Sequence, residues 1–235
     1  MTKFNEMQTV KRRFFAMRNG AVADNMRRHG ASYRIIFGLN LPQIVEIAAE
    51  TPHSVELAES LWKNQSTRES MLMAPMIYPR EEFGFETACR WATEVPTAEV
   101  ADMLCHRLLR HTPYAWDLAE SLVTSTVAME RYVALRLMFN LLPAHLDDIK
   151  ELAKSEFDKN EPMTAFICRQ LIDEIDFLKE EIFLSPIGET FCTLWVWQYM
   201  QPHRFPSRTD RDFAPLCKSR GKASFPNRHR YFVRA

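Results

Sequence analysis

The chain has 235 residues, 46% of them hydrophobic, and its 30 Lys and Arg balance 30 Asp and Glu. That length and apolar content suffice for a continuous core and exclude disorder over most of the chain, while no apolar run reaches the roughly 18 residues that cross a bilayer. The N-terminal MTKFNEMQTVKRRFF lacks the basic-then-apolar order of a secretion signal, so the sequence reads as soluble and cytoplasmic, with no membrane contact.

The neutral total hides three charge regions. Residues 1–34 carry eight Lys/Arg against two acids, residues 35–202 carry 13 against 26, and residues 203–235 carry nine against two. A nucleic-acid binder needs cations facing phosphate, so the acidic middle argues against binding over the whole surface and leaves room for a local basic groove. Lys11, Arg12, Arg13, Arg27 and Arg28 are the first candidates for it. Solvated helix faces are the plain alternative for such runs. The five cysteines at 89, 105, 168, 192 and 217 are widely spaced, without CxxC or zinc-type Cys/His spacing, so neither a metal site nor a catalytic thiol is expected.

Helical periodicity begins at LPQIVEIAAE (41–50) and continues in SVELAESLWKN (54–64), AEVADMLCHRLLR (98–110) and ERYVALRLMFNLL (130–142), each with apolar residues three and four apart. Pro42, Pro52, Pro79, Pro96, Pro113, Pro143 and Pro162 cut the chain into short segments, as Pro does at helix ends. Only six glycines occur and no strand-like alternation persists, so the expected fold class is all-α. Short connections imply antiparallel neighbours, and stacked hairpins of this kind build a superhelical solenoid with a concave binding surface. Periodicity alone does not separate that from a compact bundle. The helical domain is expected over 1–202, with IGETFCTLWVWQYM (187–200) as a last capping helix. A basic, irregular tail follows over 203–235, where cations interleave with Phe205, Phe213, Phe225, Tyr231 and Phe232. The tail is assigned no site.

Within TPYAWDLAESLV (112–123), Trp116 and Glu120 are four apart and share a helix face, Asp117 points partly away, and Pro113 marks the helix start. A flat π-face beside a carboxylate suits a cation. The competing interpretation makes Trp116 a core residue with Leu118, Leu122 and Val123, and leaves both acids solvated where the helix dipole favours them. Asp117 is expected to be structural.

Taken in order, FGLNLPQIVEIA (37–48), LAESLWKNQSTRESMLMAPMIYP (57–79) and MLCHRLLRHTPYAWDLAESLV (103–123) resemble the DNA alkylation repair family, the AlkD-like glycosylases built from HEAT-like helical repeats. Leu61, Trp62, Arg68 and Glu69 match its LW segment and following helix start, and MERYVALRL (129–137) is similar to its Arg-bearing helix. The resemblance spans about residues 1–180. It implies antiparallel HEAT-like hairpins that bind double-stranded DNA in a concave groove and hydrolyse the N-glycosidic bond of cationic N3- or N7-alkylpurines as a monomer, without metal or organic cofactor. By that resemblance Trp116 is the aromatic wall, Glu120 the catalytic carboxylate and Arg131 the residue positioning a DNA phosphate.

The chemistry accounts for these residue types. Positive charge moves from base to sugar as the bond breaks. An indole face contributes roughly 0.5–2 kcal/mol toward a nearby cation, and a carboxylate at about 4 Å up to roughly 4 kcal/mol before desolvation. The chain departs from the family pattern twice: Glu120 stands where active members carry Asp, and Cys168 in MTAFICRQLIDEI (163–175) stands about where they carry a further Trp. Phe166 and Tyr132 are the nearest aromatic substitutes in sequence. A catalytically silent DNA-binding protein and a helical-repeat scaffold for a basic protein partner are the alternatives.

Overall fold

Helix starts follow from local chemistry. Asn40 and Gln43 form a reciprocal capping box ahead of the helix at 41–49, where Pro42 occupies the first turn, and the Ser54 side chain caps the next helix. The computed structural model describes residues 6–184, with side chains to residue 180. Among the described residues the elements are α1 (Glu6–Ala16), α2 (Gly20–Arg28), α3 (Leu41–Ala49), α4 (Val55–Lys63), α5 (Arg68–Ile77), α6 (Phe85–Thr93), α7 (Ala98–Arg107), α8 (Ala115–Val123), α9 (Ala128–Leu141), α10 (Leu146–Phe157) and α11 (Pro162–Leu184), with 3₁₀ turns at Arg80–Glu82 and Leu109–His111. The all-α expectation holds for this part of the chain. The expected capping helix at 187–200, the tail and the boundary at 202 lie outside the described residues.

The helices pack in two rows. In the first, α3, α5, α7, α9 and α11 each contact the next, and the contacts join corresponding turns. Glu69 at the start of α5 accepts the Phe37 and Gly38 amides ahead of α3, Arg68 pairs with Glu99 at the start of α7, and the Tyr132 hydroxyl of α9 donates to Asp102 of α7. In the second row, Trp62 of α4 lies flat on Trp91 of α6, with centroids 4.1 Å apart and planes 2° apart. The two indole N–H groups donate to Glu94 and Glu59. The Tyr114 hydroxyl ahead of α8 reaches back to the Phe83 carbonyl ahead of α6. These contacts bridge separations of 30 to 32 residues, so one register recurs along the chain although the sequence shows little internal similarity.

The core runs between the rows without a break, from Phe14 and Ile44 through Trp62, Trp91 and Leu104 to Leu137 and Leu171, all fully or almost fully buried. α9 touches α7, α8 and α11 and buries residues around most of its circumference, which explains its lack of a polar face. One glycine is required by close approach. Gly38 has φ +78°, and a Cβ there would sit 2.2 Å from the Asn19 carbonyl oxygen, so any side chain collides with the turn before α2.

Candidate nucleic-acid interface

α8 buries Ala115, Leu118, Ala119, Leu122 and Val123, its strongest packing being on α9. That stripe fixes what faces outward. Trp116 is half-buried, with one edge packed on the core, while Asp117 and Glu120 are exposed. The Trp116 indole carries the His145 imidazole flat against it, with centroids 4.0 Å apart and planes 9° apart. His145 precedes α10 in the left-handed region, at φ 57° and ψ 36°. Among the described residues neither Glu120 nor Asp117 has a side-chain hydrogen-bond or ion-pair partner, and Asp117 sits in the first turn, where the helix dipole favours an acid.

Arg131, the expected phosphate contact, lies in the first turn of α9. It is buried, and its guanidinium is spent internally: Nε donates to Glu156 Oε1 at 2.8 Å, Nη1 to the Ser125 carbonyl at 3.0 Å, and Nη2 lies 3.8 Å from Glu161. Burial and these three contacts turn the group inward, toward α10 and the turn ahead of α9. Its partner Glu156 is buried as well, which works to raise its pKa, but hydrogen bonds from Arg131, Lys159 and Thr164 outweigh burial and hold it below the ordinary carboxylate value. A lowered folded-state pKa stabilises the fold above the unfolded value, and that contribution disappears as pH falls through the folded one. Arg131→Ala is expected to cost about 3 kcal/mol of stability in urea denaturation, because it takes the buried cation from Glu156 and leaves that carboxylate with Thr164 and the exposed Lys159. The salt dependence of DNA binding by the folded variant is expected to stay as it was; native stability would mean that the pair is solvated.

The other basic candidates lie away from α8. Lys11, Arg12 and Arg13 are on α1, which packs on α4; Arg13 pairs with Glu50, and Arg12 is exposed. Arg27 and Arg28 end α2 and bond Asp24 and Asn25 of the same helix. No described contact brings these five to Trp116. Cys168 is fully buried on α11, and burial followed by the nearby Glu156 charge pushes its thiol pKa up to about 11. Phe166 is 69% exposed, whereas Tyr132 is committed to Asp102. No helix among the described residues is long and apolar enough to cross a membrane.

Sequence reasoning passed over a group of basic residues directly ahead of α8: His106, Arg107, Arg110 and His111, joined in space by Arg80. The signal was present as HRLLRH at 106–111, but it was absorbed into an apolar helical window.

The family model for DNA alkylation repair enzymes matches residues 10–179. The chain belongs to that family. Membership gives it a role in DNA alkylation repair, with DNA as the partner. No curated protein and no solved structure matches the chain. The span shared with the DNA alkylation repair enzymes runs from α1 into α11, so it contains Trp116, Glu120 and the basic group and leaves residues 203–235 outside.

Proposed function

We propose that this DNA alkylation repair protein is a monomeric, cytoplasmic glycosylase for cationic N3- and N7-alkylpurines in duplex DNA, built from HEAT-like hairpins. The observation that carries this reading is the outer surface of α8. An indole already holds a planar heterocycle at stacking distance, and a carboxylate without a partner among the described residues lies one helical turn away on the same face. An alkylated base would replace the His145 ring on Trp116. The C1′–N bond then breaks with its electron pair going to the base, which leaves neutral and needs no proton donor. Glu120 stabilises the sugar cation and takes the proton of the water that adds to C1′. The recurring separation of 30 to 32 residues between paired turns supports the HEAT-like reading.

The test is release of methylated purine from alkylated duplex DNA. The wild type is expected to release N7- or N3-methylpurine above the spontaneous rate, and Trp116→Ala to lose most of that gain. No release by the wild type would overturn the glycosylase and leave a silent DNA binder, which the buried Cys168 in place of a second indole favours.

A further inference from the structure

Six arginines and histidines in this chain are gathered where the first-row helices end, and among the described residues none of the six pairs with an acid. Arg107 closes α7, Arg110 and His111 sit in the following 3₁₀ turn, and Arg80 lies in the turn before α6. Arg80 Nη2 reaches the Arg107 carbonyl at 3.5 Å, Arg110 Nη1 lies 3.3 Å from His106 Nδ1, and Arg110 Nε donates to His111 Nε2 at 3.2 Å. His53 lines the cleft beside them.

The contrast with other arginines is informative. Arg13, Arg68, Arg90, Arg131 and Arg136 are each partly or wholly withdrawn from water, and each meets a carboxylate. Arg107 and Arg110 are withdrawn to a similar degree, yet among the described residues neither they nor Arg80 pairs with an acid. Among the described residues Arg107 Nε and Arg136 Nε are the buried side-chain nitrogens without a hydrogen bond, and Arg136 Nε still has the Asp102 carboxylate at 2.9 Å, whereas Arg107 Nε has no acid. Glu81 lines the same cleft, of about 380 Å³, but makes no ion pair there. A basic residue in the last turn complements the helix dipole, which accounts for Arg107 and not for Arg80, Arg110 or His111 beyond it.

The electrical consequence falls on His106 and His111. Desolvation, then Arg80, Arg110 and His106 drive the His111 pKa down to about 4. Desolvation, then Arg110 lower that of His106 as well, with Arg107 and Arg136 adding to the effect and the Asn140 hydrogen bond opposing it. His111 is therefore neutral at neutral pH and accepts from Arg110 through Nε2. Like charges kept this close are unfavourable for the folded chain alone, and a bound anion removes the penalty. Guanidinium groups bind phosphate through paired N–H donors, and the cleft that Arg80 and Arg107 line leaves room for a phosphate, with the charge of Arg110 close enough to be felt by both.

We propose that Arg80, Arg107 and Arg110 form a phosphate-binding site, and that the backbone of the DNA strand entering the α8 surface supplies the phosphate. The second half of this inference rests on the function proposed above. It replaces Arg131 as the phosphate contact with a site that has free donors.

Two measurements on the full chain test it. In the first, pyrophosphate is titrated into the protein while the His106 and His111 imidazole resonances are followed by NMR. Saturable shifts are expected, and they are expected to vanish in Arg107→Gln/Arg110→Gln. Because the two arginines repel their neighbours, the double variant is expected to melt no lower than the wild type, which separates a binding role from a structural one. In the second, duplex affinity is measured against salt, and each of Arg80→Gln, Arg107→Gln and Arg110→Gln is expected to reduce the log–log slope by about 0.9. Unshifted imidazoles together with unchanged slopes would overturn the site, while duplex binding by the wild type would still stand for the proposed function. Pyrophosphate binding by a chain that ignores duplex DNA would support the site and overturn both its DNA source and the proposed function. A large fall in melting temperature of the double variant would assign the arginines to the fold and sink the inference.

Discussion

Glu69→Ala is expected to lower the unfolding free energy by about 3–5 kcal/mol, among the largest losses any single substitution in this chain produces. Glu69 is fully buried, and its two oxygens take the Phe37 amide at 3.1 Å, the Gly38 amide at 3.0 Å and Arg68 Nη1 at 3.2 Å. Arg68 in turn holds the Leu39 carbonyl and Glu99. One carboxylate thus ties the turn ahead of α3 to α5, and through Arg68 to α7. Truncation orphans the Phe37 and Gly38 amides and leaves Arg68 with the Leu39 carbonyl and a single carboxylate, that of the half-exposed Glu99. Urea denaturation reads the loss, and faster hydrogen exchange at the Phe37 and Gly38 amides locates it. Glu69→Gln retains one acceptor oxygen and is expected to fall between wild type and Ala. A cost under about 1 kcal/mol for Glu69→Ala would mean that water replaces the carboxylate, and the network would then not organise this end of the fold.

Helices were legible wherever periodicity met a breaker. The windows at 41–50 and 54–64 match α3 and α4 to within a residue at each end, because Asn40, Pro42 and Ser54 act locally. The window at 98–110 overran, since Leu108 departs from helical backbone and a 3₁₀ turn follows, a change that its apolar pattern does not encode. Pro75 is buried inside α5, where local rules would have ended a helix, and tertiary packing of α5 against α3, α4 and α7 outweighs that preference. Arg131 was misplaced for a different reason. A lone Arg in a sequence is read as exposed because unpaired burial is costly, but Glu156 lies 25 residues away and no local pattern predicts that the two will meet. The basic group was hidden by arithmetic. Its members lie inside the segment with the largest excess of acid, and only folding brings Arg80 to HRLLRH. Trp116 and Glu120 were legible as a pair since four residues span one turn, whereas the His145 ring stacked on Trp116 was not, because it arrives from the far end of α9.

Glu120→Gln is expected to slow single-turnover release of methylpurine by about 10²–10³-fold, with no change in melting temperature or duplex affinity. The substitution keeps the side-chain volume and removes the charge. Glu120 is exposed and has no described partner, so the fold loses nothing. The charge matters most as the sugar becomes cationic, and an interaction that strengthens in the transition state affects the chemical step far more than binding. Glu120→Asp sharpens the point. If the extra methylene holds the carboxylate about an ångström from the position the family's Asp would take, shortening it raises the rate, since a displacement of that size costs about 10²-fold. If the backbone of α8 already compensates, the Asp variant is slower than the wild type, with the charge now drawn back from the sugar. Equal rates for wild type and Glu120→Gln would remove Glu120 from the chemistry, and the stacking surface on Trp116 would remain as a base-binding feature without a catalytic group beside it.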